Sequence, residues 1–227
     1  MGKRFSPWAL PVWAIIRKDL LEEFRTRYAV NSLVMFAVTT LVMVSFAVGP
    51  FSLDQSLHAA FIWIILFFSA MTGLARSFVK EEENKTAAGL KLSASPEIVY
   101  LGKLLFNLLV MLGLTLILIP IYLLLMVPPI GSWWLMLFIL FLGNICLAGA
   151  VTILAAIVAR AGSKNALLPT LSFPILLPVL ITAISVTETA LGGGTFSQGK
   201  WELQFLVSYG VILIAASILL FNYVWYD

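Results

Sequence analysis

The chain has 227 residues, of which 61% are hydrophobic and 11% are charged, and its formal net charge is +3. A soluble domain is typically ~45–50% apolar and ~25% charged. The composition therefore excludes an ordinary soluble enzyme and a disordered tail. A disulfide scaffold is excluded as well, because Cys146 is the only cysteine.

Long uncharged runs, taken in chain order, predict membrane-spanning helices. They cover residues 28–53, 55–75, 104–159, 165–187 and 203–226. A helix needs ~20 apolar residues to cross the hydrocarbon core. The third run is long enough for two spans, and Pro128-Pro129 with Gly131 interrupts it near its middle. The sequence therefore predicts six spans, at 30–50, 59–79, 100–126, 133–159, 166–187 and 203–226.

The predicted fold class is an all-α integral membrane protein, with residues 1–227 forming one transmembrane domain. Unpaired backbone groups in lipid cost several kcal/mol each, so a lipid-exposed segment must be a helix or part of a closed barrel. A barrel would need alternating polarity, and these runs are apolar on every side. Six transmembrane helices are therefore expected.

Basic residues predict the orientation of the chain. With six spans, 13 of the 14 Lys and Arg residues fall on one side, and Lys200 stands on the other. Because loops on the cytoplasmic side are rich in Lys and Arg, both termini are expected in the cytoplasm. The positive charge thus reports topology, and no basic patch or motif indicates a nucleic-acid partner.

Residues 1–28 contain a predicted amphipathic helix that lies on the bilayer surface. Its apolar residues share one helical arc, with Lys18, Glu22 and Arg25 opposite. Arg17 and Arg27 lie at the margins of the arc, where their side chains can extend to lipid phosphates. The apolar arc consists of Trp13, Ile16, Leu20, Leu21, Phe24 and Tyr28.

The loop at 76–99 has the composition of a docking element. It contains the acidic run Glu81-Glu82-Glu83, and it should begin as a charged extension of the second span that Gly89 breaks. Leu90 and Leu92 are expected to be exposed. Ser95 then caps a new helix with Pro96 in its first turn. A solvated acidic face without a partner is the alternative.

Within the predicted spans, acidic, lysine and arginine residues occur only at the ends, which indicates no catalytic, cofactor or metal site in the membrane. An integral membrane enzyme is therefore disfavoured. His58 could ligate haem or a metal with Met43 or Met71. A lone histidine at the interface is more often a solvated polar residue. Trp63 lies deeper and is expected to pack between helices.

The fifth span carries three prolines, Pro169, Pro174 and Pro178. Each proline removes a backbone donor and kinks a helix, so this span is expected to be bent or broken. Broken helices are tolerated where they face protein or a cavity. The span could therefore move or line a pathway, and a static kink packed against its neighbours is the alternative.

The order of these elements resembles the membrane subunits of type-2 ABC exporters, and within them the haem exporter B (CcmB) family of cytochrome c maturation. Chain length and the six-span plan also match, so the resemblance covers nearly the whole chain. The residues that carry it are Arg17-Lys18-Asp19-Leu20, Glu22, Arg25, Trp63, Arg76-Ser77-Phe78, Glu81-Glu82-Glu83, Gly89-Leu90, Ser95-Pro96 and Gly102-Lys103.

The resemblance implies a permease subunit of the bacterial inner membrane that is not itself catalytic. Residues 1–28 would form an elbow helix, with Arg17, Asp19, Glu22 and Arg25 as its matching residues. Residues 76–99 would form a coupling loop that binds a separate cytosolic ATPase. The coupling residues would be Arg76, Glu81, Glu82, Glu83, Gly89, Leu90 and Pro96.

Family members act with other membrane subunits in delivering haem to a periplasmic haem chaperone. The resemblance also implies a partner subunit that handles haem through a tryptophan-rich W-W-D motif. This chain lacks that motif, since Leu135 follows Trp133-Trp134. That departure favours energy coupling over haem binding, whether the driven step is haem export or release of the loaded chaperone. Two alternatives stay open: an exporter of lipid, glycan or drug, and a passive membrane anchor of a respiratory complex.

Overall fold

A computed structural model describes residues 8–49, 53–74, 76–83, 86–160 and 167–226, and this part of the chain contains helices and no strands. The all-helical prediction is confirmed. The helices, in chain order, are α1 (Ala9–Thr26), α2 (Tyr28–Val48), α3 (Gln55–Gly73), α4 (Arg76–Glu83), α5 (Ala87–Ser93), α6 (Pro96–Met126), α7 (Trp133–Arg160), α8 (Leu167–Leu191) and α9 (Lys200–Tyr226).

Six segments of the described chain are long and apolar enough to cross a membrane, which confirms the predicted number of spans. The second starts four residues earlier than predicted, and the fifth continues to Leu191. The segments are Val30–Val48, Gln55–Val79, Pro96–Met126, Trp133–Arg160, Thr170–Leu191 and Lys200–Tyr226.

Helix α7 is the centre of the bundle and contacts α3, α4, α6, α8 and α9. Its small residues allow close approach, as is usual between membrane helices. A Cβ on Gly143 would lie 2.0 Å from the Trp63 ring, so this ring fills the space that the glycine leaves. The Trp63 side chain is fully buried, which confirms that it packs between helices.

Polar side chains inside the bundle bind one another across helices. Asn107 of α6 donates to Thr152 of α7 at 2.9 Å. Eight residues further along α6, Thr115 accepts from Asn144 at the same distance. Such bonds contribute about 0.6–2 kcal/mol each in membranes, so these pairs set how α6 and α7 face each other.

The fifth span was expected to be bent or broken, and it is not broken. Helix α8 is continuous from Leu167 to Leu191 with Pro174 and Pro178 inside it. Neighbouring groups bind its backbone: the Tyr209 hydroxyl of α9 donates to the Ile175 carbonyl at 2.6 Å. This bond attaches α8 to α9 between the two prolines. Nothing is described of the Pro169 side chain.

The junction between α4 and α5 differs from the prediction. Gly89 was expected to break the helix, but it lies inside α5, and α4 ends earlier, at Glu83. A Cβ on Gly89 would meet no atom within 4 Å, so the position makes no steric demand for glycine. The prediction that a helix starts at Pro96 is confirmed.

Candidate functional site

Four charged side chains meet where α1, α4 and α6 converge. The Lys103 ammonium of α6 lies 2.9 Å from Asp19 Oδ2 of α1 and 2.7 Å from Glu81 Oε1 of α4. Lys18 of α1 also donates to Glu81 and lies 3.5 Å from Asp19 Oδ1. Two cations and two carboxylates therefore form one group, the four-charge cluster of Lys18, Asp19, Glu81 and Lys103.

Most of this cluster is buried. Lys103, Glu81 and Asp19 are only 3%, 4% and 5% exposed, whereas the Lys18 side chain is 39% exposed. A buried charge is costly unless it is paired and hydrogen-bonded. The two ammonium groups and the two carboxylates satisfy this condition by pairing with each other. Lys103 also donates a hydrogen bond to the Ser77 carbonyl at 3.2 Å.

The pKa values in the cluster follow from these contacts. Burial alone would raise the pKa of Glu81, but the charge and hydrogen bond of Lys103, with bonds from Lys18 and Thr86, lower it to about 2. Burial likewise works to lower the pKa of Lys18, and its bond to Glu81 and the nearby Asp19 charge raise it. Both groups therefore stay ionised at neutral pH.

A glycine next to Lys103 lets the interfacial helix reach this site. A Cβ on Gly102 would lie 2.7 Å from Ile15 Cγ2 and 2.8 Å from Ile15 Cβ. Helix α1 therefore lies directly on the start of α6, with Ile15 and Asp19 on its inner face. The Gly102-Lys103 pair thus has a physical basis: the glycine admits the helix and the lysine binds its carboxylate.

The faces of α1 differ from the prediction. Lys18 was expected on a solvated face, but it pairs with Glu81, and the buried residues of α1 include Asp19 and Glu23. The predicted apolar arc divides: Ile16 is buried against the bundle, whereas Trp13 is exposed. A single amphipathic arc fails here because one side of α1 packs against the bundle while apolar side chains on its other side remain exposed.

Glu81 also connects the cluster to α5. Its second carboxylate oxygen accepts a hydrogen bond from the Thr86 hydroxyl, and its carbonyl accepts the Thr86 N–H at 3.0 Å. From this anchor α5 presents Leu92, which is 92% exposed. Leu90 was also expected to be exposed, but it is half-buried against the core, because the short helix turns that side chain inward.

The predicted site residues thus separate into groups. Of those implied by the resemblance, Asp19 and Glu81 are brought together, and half-buried Glu22 lines the small cavity beside them. Exposed positions are Arg17, Arg25 and Gly89, and Pro96 is buried at the first position of α6. The side chains of Arg76, Glu82 and Glu83 lie outside the described residues.

Sequence reasoning named Lys103 only in the Gly102-Lys103 pair of the resemblance and gave it no role in the site. A usable signal was its position: Lys103 lies one helical turn from both Val99 and Asn107, on what is a buried face of α6. His58 was also misjudged as solvated. It is 2% exposed, and its Nδ1 lies 3.0 Å from the Tyr122 hydroxyl, which donates to the His58 carbonyl.

Comparison with known proteins identifies the family of the chain. The family model described as "CcmB protein" matches residues 10–222. Heme exporter protein B of Haemophilus influenzae is 29% identical over 181 residues, which cover 78% of this chain and 80% of the relative. The family match extends from the interfacial helix through the four-charge cluster to the last span. The chain therefore belongs to the CcmB family.

Proposed function

We propose that the chain is the non-catalytic permease subunit of a haem-exporting ABC transporter in cytochrome c maturation. A separate cytosolic ATPase would bind the loop at 76–99, and ATP hydrolysis would drive either haem export or release of a haem-loaded periplasmic chaperone. The family match and the similarity to heme exporter protein B of Haemophilus influenzae support the haem-export role.

The observation that carries the coupling role is the contact of Lys103 with Asp19 and Glu81. Through it one buried ammonium joins the interfacial helix, the first part of the loop and a long membrane span. A displacement of α4 by a bound ATPase must therefore move α1 and α6 with it or break buried ion pairs. Because breaking such pairs is costly, force applied at the loop is transmitted to α6.

Leu92 is the side chain best placed to meet the ATPase. Its side chain is almost fully exposed, although α5 itself is attached to the rest of the protein at two points. Thr86 binds Glu81 before α5, and the Lys91 ammonium lies 5.6 Å from the centre of the Trp225 ring. A rigidly presented apolar side chain can fill a pocket on a partner at low entropic cost.

Co-purification of a cytosolic ATPase with this chain tests the docking role. Leu92→Asp should abolish recovery of the ATPase, because a carboxylate cannot enter an apolar pocket without loss of hydration. Leu92→Met is the matched control and should retain it. Equal recovery with both variants would exclude Leu92 as the docking residue. No ATPase with the unaltered chain would instead favour the passive-anchor alternative.

The substrate class is tested in cells. A strain without this chain should lose covalent haem attachment to c-type cytochromes and keep its b-type cytochromes. The unaltered chain should restore attachment, and Leu92→Asp should not. Normal c-type cytochromes in the deletion strain would point instead to an exporter of lipid, glycan or drug, since a fold alone does not determine a substrate.

A further inference from the structure

A second cavity, next to the one beside the four-charge cluster, opens between α1, α2 and α6. It has a volume of about 230 Å³ and adjoins a cavity of about 200 Å³ between α2 and α6. Apolar side chains form most of the walls, and the two cavities share Leu20, Val30 and Val110. We call the pair the interfacial cleft. Its polar lining residues are Glu23, Arg27 and Asn31.

Arg27 has an unusual backbone conformation at this cleft. Its φ of 53° and ψ of 16° place it in the left-handed region, between the last residue of α1 and the first residue of α2. Residues other than glycine adopt this region rarely because Cβ crowds the following carbonyl. Glycine would make the same turn without this crowding. An arginine held in a strained conformation indicates a use for its side chain.

The guanidinium of Arg27 is available to a ligand. Its side chain is exposed, and within the described part of the chain no carboxylate forms an ion pair with it. The neighbouring carboxylate of Glu23 is engaged elsewhere: its Oε1 accepts the Val30 N–H at 2.8 Å, in the first turn of α2. A carboxylate at a helix N-terminus is favourably placed.

The cleft lies at the depth of lipid headgroups. Trp13, Leu21 and Phe24 on the outer side of α1 are 58%, 59% and 71% exposed. In a membrane protein an exposed apolar face of this kind lies in the interface, so α1 rests on the bilayer surface. The transmembrane segment that starts at Val30 follows directly. Arg27 therefore stands where lipid phosphates are, with the apolar cavities extending from it toward the hydrocarbon.

We propose that the interfacial cleft binds one anionic phospholipid of the leaflet that contacts α1. The lipid phosphate accepts hydrogen bonds from the Arg27 guanidinium and the Asn31 amide. One acyl chain lies against Leu20 and Val110 and enters the second cavity. The exposed Arg17 and Arg25 on the same helix add positive potential, which favours a net negative headgroup over a zwitterionic one.

Native mass spectrometry of the full-length subunit, stripped of lipid and titrated with phosphatidylglycerol, tests this proposal. The unaltered chain should retain one phosphatidylglycerol and should bind phosphatidylcholine at least tenfold more weakly. Arg27→Gly should weaken phosphatidylglycerol binding by about tenfold, the effect of losing one charge-assisted hydrogen bond. Because glycine accepts a positive φ, this variant should melt at the same temperature as the parent or higher.

Two variant pairs separate the parts of the site. Val110→Phe should fill the cleft and reduce binding, whereas Leu116→Phe, at a lipid-exposed position outside it on the same helix, should not. Arg27→Gln should also weaken phosphatidylglycerol binding, whereas Lys200→Gln, an equal loss of charge at the start of α9 and outside the cleft, should not. Equal retention of both lipids, or unchanged binding after Arg27→Gly, would overturn the proposal. Displacement of the lipid by inorganic phosphate would show a simple anion site and overturn it as well.

Discussion

The Lys103 ammonium lies 2.7 Å from Glu81 Oε1, although the two residues belong to different helices and both are almost completely buried. Asp19 completes the ion pairing from a third helix. In a chain with so few charges, this contact concentrates charge at the junction between a surface helix, a loop segment and a membrane span. Each of the three elements depends on the other two for its position.

Replacing Lys103 by methionine should destabilise this junction strongly. Among the described residues, the change leaves Lys18, which is partly exposed, as the one cation beside the buried Asp19 and Glu81. Removing one partner of a buried pair costs about 3–5 kcal/mol. We expect a clear fall in the thermal unfolding midpoint of the purified subunit. Arg17→Gln, on the exposed side of α1, should change stability by less than about 0.5 kcal/mol.

A double variant distinguishes pairing from simple burial of charge. Suppose that Lys103→Met destabilises the protein by leaving carboxylates unpaired. Adding Asp19→Asn should then recover part of the lost stability, because it removes one of the buried negative charges that lost the Lys103 ammonium. An additive loss in the double variant would contradict this account. It would mean that the lysine acts through packing alone.

The stability of the junction should depend on pH through Glu81. Its pKa falls from an ordinary value of 4.5 to about 2 in the folded protein. Its stabilising contribution is therefore fully present above the ordinary value and is lost as the pH falls toward 2. Melting curves of the unaltered chain and Glu81→Gln should differ most at neutral pH and converge in acid. A difference as large at pH 2 as at neutral pH would show that Glu81 does not act through ionisation.

The glycines of α6 offer a matched test of how closely α1 approaches. Gly102→Ala would place a methyl group 2.7 Å from Ile15 Cγ2, and such overpacking typically costs about 1–3 kcal/mol. Gly113→Ala meets no atom within 4 Å and should stabilise the helix by roughly 0.5–1 kcal/mol. The unfolding midpoints should therefore move in opposite directions. Two shifts of the same sign would contradict the contact with α1.

The sequence alone sufficed for the six spans, because an uncharged run of sufficient length has few alternatives in a membrane. The acidic run drew attention to Glu81, and the family resemblance drew attention to Asp19. The burial of Lys103 and His58 was not predicted. Burial at the end of a span depends on which helices meet there, and a single sequence does not reveal those contacts. The prediction of one apolar arc on α1 was wrong for the same reason, because a helix with two apolar environments has no single apolar arc.

The orientation of the chain is testable with cysteines. Cys146 is the only native cysteine and is buried, so Cys146→Ala provides a suitable background. In that background we expect Leu92→Cys to resist a membrane-impermeant maleimide added outside spheroplasts, and Trp201→Cys to react, because the basic loops should face the cytoplasm. Both positions are well exposed, at 92% and 75%. The reverse pattern would place the termini outside.

Helix α8 is the element we expect to change shape during transport. Pro174 and Pro178 each lack the N–H that would bind the preceding turn, so the helix has fewer backbone bonds resisting a bend there. Spin labels at Thr170 and Ser185 lie on either side of the two prolines. With the ATPase bound, their distance distribution should differ between the nucleotide-free and ATP-bound complexes. A matched pair at Leu109 and Leu124, which brackets the single Pro120 of α6, should change less. Identical distributions in both states would establish the static-kink alternative.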